Sequence, residues 1–225
     1  MKSYITRTSN NDFHEKSLVY EYKYICFTMI WYIQMNLRFA YLCTNCYKRH
    51  SMVKPYKNSS ISKKEQVTSM FDGIAKNYDA LNRVISMGID KSWRRKLVSM
   101  AADKKPETIV DVATGTGDLA IALASISTAT ITGIDIAVEM LEIGKQKINQ
   151  NKLDRKINMV VGDAESLPIT DKTVDVVTVA FGVRNFGDLH KGLSEIYRIL
   201  KPEGQLFVLE TSVPKSLLFR LGYKL

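Results

Sequence analysis

The chain has 225 residues, 45% of them hydrophobic and 24% charged, a composition that supports one domain with a sizeable core plus an appendage. Internal repeats and low-complexity tracts are absent from the sequence. Its net charge of +9 is spread along the chain, and the one local cluster, Arg94, Arg95 and Lys96, is short. This pattern argues against a dedicated nucleic-acid partner and leaves a solvated helix face or contact with an anionic surface.

The first 51 residues differ from the rest. They hold Cys26, Cys43 and Cys46, the only cysteines, together with Trp31 and many tyrosines, and they contain no Gly or Pro. Their uncharged run, residues 24–37, is shorter than the roughly 20 apolar residues of a membrane span. No small-residue cleavage site follows it, and Asp12, Glu15 and Glu21 do not suit a mitochondrial transit peptide. Cys43 and Cys46 form a lone CxxC without further ligands at metal spacing, so no metal is expected. Residues 1–51 are therefore read as an atypical leader, non-native or disordered, with Met52 as the natural start. A membrane-associating leader is the alternative. Residues 52–225 have no cysteine and need no disulfide, which fits a reducing cytoplasm.

Residues 52–107 read as a helical lid. Ser62 and Glu65 have the spacing of a capping box, and Val67, Met70, Phe71 and Ile74 continue as a helical apolar stripe. Two further amphipathic stretches, around 78–88 and 90–101, precede the first strand of the main domain and can cover the carboxyl edge of its sheet.

From Thr108 the pattern alternates between strand and helix. Strands are expected at 108–112, 130–134, 157–161, 174–180 and 205–209. The run 174–180 is apolar almost throughout, as a strand buried on both faces should be. A helix over 188–200 is stopped by Pro202 and Gly204. Such alternation predicts a Rossmann-like, doubly wound parallel α/β sheet over 108–225. Ligands of these sheets bind outside the carboxyl ends of the strands, which directs attention to residues 113–118, 135–136, 163–164 and 180–185.

Gly115, Thr116, Gly117 and Ala120 follow the G-x-G-x-x-G/A pattern, in which the glycines and the free N–H groups of a helix start admit an anionic or polar ligand. Asp135, twenty residues after Gly115, can accept from both hydroxyls of a ribose. These two features suit NAD and S-adenosylmethionine (SAM) equally. Asp163 and Ala164 after the third strand favour SAM, because an acid followed by a small residue can bracket an adenine and accept from its exocyclic amine. The spacing of the set, with Asp111 four residues before Gly115, resembles class I SAM-dependent methyltransferases. The bland alternatives are a ligand-free turn at Gly115 and a helix cap at Asp135.

Three separated motifs narrow this resemblance. Tyr78, Asp79, Asn82, Ser86, Gly88 and Trp93 resemble the N-terminal signature of the ubiquinone/menaquinone biosynthesis C-methyltransferase family. Phe181, Gly182, Arg184 and Asn185 match its F-G-x-R-N, and the stretch from Arg198 to Ser212 resembles its second signature. The resemblance implies SAM contacts at Thr116, Asp135, Asp163 and Ala164, and a prenylated benzoquinol or naphthoquinol substrate. The implied reaction methylates a ring carbon, as in demethylmenaquinol to menaquinol. Because Arg184 stays protonated, its expected role is to stabilise a ring phenolate or polarise a water, with Asn185 orienting the ring oxygen. Tyr78 is expected to bond the quinol or the methionyl end, and His190 to face solvent.

Such an enzyme would be cytoplasmic and visit the membrane surface, and the sequence leaves a homodimer open. Position 81 is Leu and position 90 is Asp, where many relatives carry Met and His. The family continues past the fifth strand with a helix and an antiparallel strand pair, so Leu225 is expected to truncate the fold, to leave a sheet edge open and to put activity in doubt. The alternatives are methylation of another small molecule, an inactive fragment and, remotely, an NAD-linked oxidoreductase.

Overall fold

The computed structural model describes residues 60–211 and, as backbone only, two strands further upstream, β1 (Lys23–Ile25) and β2 (Thr28–Gln34). The CxxC pair, Met52 and the segment from 212 to Leu225 lie outside the described residues.

The chain enters through helix α1 (Lys63–Ile74). Its N-terminus is fixed by the expected capping box: the Ser62 hydroxyl accepts from the Glu65 amide, and the Glu65 carboxylate accepts from the Ser62 amide at 2.9 Å. A 3-10 turn, Ala75–Asn77, leads into α2 (Tyr78–Ile85), and α3 (Asp90–Ala102) follows. The main domain then runs β3 (Thr108–Val112), α4 (Asp118–Leu123), β4 (Thr130–Asp135), α5 (Val138–Gln150), β5 (Ile157–Val161), β6 (Val174–Ala180), α6 (Leu189–Ile199) and β7 (Leu200–Thr211).

The sheet has the order β1-β2-β7-β6-β3-β4-β5. The five strands β5, β4, β3, β6 and β7 are parallel, as the alternating pattern predicts. The order reverses at β3, whose neighbours are β4 on one side and β6 on the other. The fifth of these strands departs from expectation. It starts at Leu200 rather than near 205, and its register against β6 shifts between Val174 and Val176. The segment with Pro202 and Gly204 is thus an irregular strand entry as well as a helix stop. The outer edge of β7 is not left open, since β2 pairs antiparallel along it from Thr28↔Thr211 to Gln34↔Gln205.

Side-chain alternation along the strands feeds two cores, one on each face. Ile109, Val176, Phe207 and Leu209 pack with Trp93, Leu97 and Ala101 of α3 and with Leu119, Leu123 and Leu141 of α4 and α5. Val110, Val112, Val177, Leu206 and Val208 pack with Ile196 and Ile199 of α6. Truncating a fully buried aromatic such as Phe207 to Ala costs about 3–5 kcal/mol in cores of this kind. Covering both faces forces the connections over the strand ends, where the polar residues gather.

Arg198 carries much of the lower edge. Its guanidinium donates to Glu195, Asp171 and the carbonyls of Leu167 and Ile169, pinning α6 to the loop before β6. The second signature is therefore partly a structural staple.

Candidate functional site

The carboxyl ends of β3, β4 and β6 and the turn after β5 open into one cleft of about 700 Å³, counting its mouth, with α1 and α2 on the opposite side. Gly115, Asp135, Asp163, Ala164, Asn185 and Tyr78, all singled out in the sequence, line it.

Asp135 ends β4. One carboxylate oxygen accepts from the Gly115 amide at 2.7 Å and the other from the Ala137 amide at 2.9 Å. Each oxygen keeps acceptor capacity for a ligand hydroxyl. Burial pushes this carboxyl above its ordinary value, and the amides of Ala137, Gly115 and Ile136 draw it back. Gly115 is left-handed at φ +57°, a conformation that costs a residue with a Cβ roughly 1–2 kcal/mol. Ala113 and Phe181, which also line the cleft, adopt positive φ of +55° and +59°. Gly182 lets the two loops meet: a Cβ there would lie 2.5 Å from that of Ala113. Strain of this kind persists only where neighbours hold it.

Asp163 is more occupied than its sequence position suggests. One oxygen accepts from the Glu165 amide at 2.9 Å, and the other pairs with Lys64 of α1. Lys64 also reaches Glu165 at 3.6 Å, and Lys63 donates to the carbonyls of Arg184 and Phe186 at 2.9 and 2.7 Å. Burial depresses the Lys63 ammonium, whereas the bond to Asp163 raises that of Lys64. These two lysines, which the sequence reading passed over, clamp the lid to the rim. Their signal was an inconsistency: cations in the first turn oppose the helix dipole and need carbonyl or carboxylate partners elsewhere.

A second clamp acts behind the glycine turn and explains why Thr116 and Gly117 do not reach the cleft wall. The Thr116 hydroxyl donates to Asp79 of α2 at 2.6 Å, and Lys147 of α5 bridges Asp79 and Asp118. Arg94 of α3 joins Asp118 to Asp90. Gly117 faces Met159 and Gly144 instead. Thr116 therefore ties the lid to the turn, and its backbone shapes the loop from beneath.

Arg184 is also displaced from its expected place. Its guanidinium pairs with Glu210 at 2.6 Å with nearly half of the side chain exposed, and it stands at the rim while Asn185 lines the cleft. Tyr78 sits edge-on to Phe71, 5.8 Å between ring centres. Burial raises its phenol above the ordinary value, opposed by a hydrogen bond with Asn82. His190 is exposed, and its amide donates to the N-cap Asp188.

Val67, Phe71, Met140, Ile136, Phe181 and Phe186 supply the apolar wall. The cleft thus offers carboxylate acceptors beside a water-excluding surface, which suits an organic ligand with a diol and an amine. Among the described residues no group of His, Cys, Asp and Glu could hold a metal ion.

A model of the ubiE/COQ5 methyltransferase family matches residues 59–225. The chain belongs to the ubiE/COQ5 methyltransferase family. Among its relatives, the demethylmenaquinone methyltransferase of Bacteroides fragilis is 47% identical over 163 residues, 72% of this chain and 66% of that protein. The ubiquinone/menaquinone biosynthesis C-methyltransferase UbiE of Geotalea daltonii is 48% identical over 163 residues, 72% and 69% of the two chains. The chain thus spans about two thirds of the length of these relatives. A solved structure of a putative SAM-dependent methyltransferase from Methanococcus maripaludis superposes with a TM-score of 0.51 at 26% identity, covering 68% of this chain and 66% of that one. The doubly wound fold with its site at the strand ends is that of the class I methyltransferases.

Proposed function

We propose that the protein is a SAM-dependent C-methyltransferase acting on the ring of a prenylated quinol, of the demethylmenaquinol-to-menaquinol type. The observation that carries the reading is the Asp135 carboxylate, set at the end of β4 against the Gly115 amide and facing the cleft. The names of the relatives support the quinol as substrate.

The residues present fit the cofactor. Asp135 can accept from a ribose diol, Asp163 retains acceptor capacity for an amine, and Val67, Phe71 and Met140 form an apolar wall. Bound there, SAM supplies a methyl group activated on a sulfonium sulfur. The protein then has to align a ring carbon and raise its electron density. Alignment in a dry site can contribute about 7–11 kcal/mol. The Asn185 amide orients the ring oxygen, and Arg184, released from Glu210, stabilises negative charge on that oxygen. Tyr78, protonated because its burial disfavours the phenolate, donates from the lid side. The lysine clamps hold the lid down and keep water out.

A prenylated quinol resides in a bilayer, so we place the protein in the cytoplasm, at the membrane face. Among the described residues no helix is long and apolar enough to cross a membrane. Calorimetric titration of the full chain with SAM tests the reading, with Asp135→Ala as control. Saturable binding that the substitution abolishes is expected. Absence of binding by the folded protein overturns the cofactor assignment. A panel of demethylated quinols with SAM then tests the substrate, and methyl transfer to other phenols but to none of the quinols would replace it.

A further inference from the structure

Helix α2 and the turn after it expose an unusual amount of apolar surface. Val84 is 76% exposed, Ile85 78% and Met87 83%, with Leu81 and Ile89 nearly half exposed beside them. No residue of α2 is buried. Isolated exposed apolar residues are ordinary, but five large ones within nine positions form a patch of the kind that marks an interaction surface.

The patch is held in shape. The Gly88 amide donates to the Arg83 carbonyl at 3.0 Å, and the Met87 amide to the Val84 carbonyl at 3.2 Å. Met87 takes φ +50°, a helix-ending position that normally belongs to glycine. A bulky side chain placed there at a conformational cost, with most of its surface outside the protein, stabilises nothing within the fold.

The charge around the patch has one sign. Between residues 76 and 102 the exposed charged side chains are Lys76, Arg83, Lys91, Arg95 and Lys96. The two acids in this stretch turn inward, Asp79 to Thr116 and Lys147, and Asp90 to Ser86 and Arg94. Two copies meeting through this face would bring like charges together. An anionic lipid surface accepts both the apolar tip and its cationic surround.

We propose that residues 81–89 form a membrane-docking tip that inserts its apolar side chains at the interface of an anionic bilayer. The proposal deepens the functional reading above and rests on it for the reason a bilayer is visited. Tyr78, at the start of α2, lines the cleft, and Ile85 at its end belongs to the tip. At 1.5 Å per residue the two are about 10 Å apart along the axis. A quinol ring drawn from the headgroup region would have one short helix to travel past.

Sedimentation of the full chain with phosphatidylcholine vesicles, with and without one-third phosphatidylglycerol, tests this. Binding to the anionic vesicles that weakens with salt is expected. The triple variant Val84→Ser, Ile85→Ser, Met87→Ser should lose at least tenfold in vesicle affinity while its circular dichroism and SAM titration stay unchanged, since none of the three lines the cleft. Arg83→Gln with Lys91→Gln should reduce the salt dependence. No binding by the unaltered protein, or equal binding by the triple variant, overturns the proposal. So does a dimer that the triple variant splits, because the face would then join two copies. Methylation of a short-chain quinol in vesicle-free solution reads the chemistry separately: if it fails while vesicle binding persists, the functional reading falls and the docking surface stands.

Discussion

Asp111 offers a quantitative test of the buried electrostatics beneath the site. It is 1% exposed in β3, and its two oxygens accept from the hydroxyls of Thr178 at 2.6 Å and Thr114 at 2.7 Å. Burial is the largest influence on its carboxyl, the two threonines and Arg94 oppose it, and Asp135 adds to it. The result is a value pushed up to about 6 from 3.8. About two units at 1.36 kcal/mol each correspond to about 3 kcal/mol. Because the folded value lies above the unfolded one, the native state holds an extra proton between about pH 4 and 6. The group's stabilising contribution is full below about pH 4 and is lost as the pH rises through 6. Asp90, Asp175 and Glu195 shift the other way, so their contributions are lost on acidification and partly mask the effect. Comparing the unaltered protein with Asp111→Asn removes that background. Urea unfolding followed by circular dichroism from about pH 4 to 7.5 should show the unaltered protein losing about 3 kcal/mol relative to the variant. A difference that stays flat over this range would refute the argument that desolvation makes folded Asp111 keep its proton up to about pH 6.

Gly182→Ala should destabilise by about 1–3 kcal/mol through overpacking, because its Cβ would meet that of Ala113 at 2.5 Å. Adding Ala113→Gly should recover most of the loss in a thermal melt. The Asp79–Lys147 pair is about one-quarter exposed on each side, so a double-mutant cycle with Asp79→Asn and Lys147→Met should give a coupling of about 1 kcal/mol; zero coupling would mean that the lid is held by packing alone. Arg184→Ala should lower turnover on a quinol at least tenfold with SAM affinity intact. An equal fall in both would assign Arg184 to the cofactor side of the cleft.

Much of this architecture was legible in the sequence because it rests on local rules. The expected strands 108–112, 157–161 and 174–180 coincide with β3, β5 and β6, since short runs rich in β-branched residues between turn residues have few other places to go. The capping box at Ser62 needs only four consecutive residues. Asp135 and Gly115 were found because a strand end and a glycine turn twenty residues apart are brought together by any βαβ unit of this length. Other features depended on contacts between distant segments. Local pattern does not reveal that Thr116 would give its hydroxyl to Asp79, that Lys64 would take Asp163, or that Arg184 would turn to Glu210. These pairs are separated by 26 to 99 residues; the first two form only once the lid has folded over the sheet, and the third only once the turn after β6 lies beside β7. The chain by itself determined the doubly wound sheet and the polar residues at its edge. Tertiary structure decided which of those residues still face the cleft, because a charged or hydroxyl group shielded from water takes whichever partner the folded neighbourhood supplies.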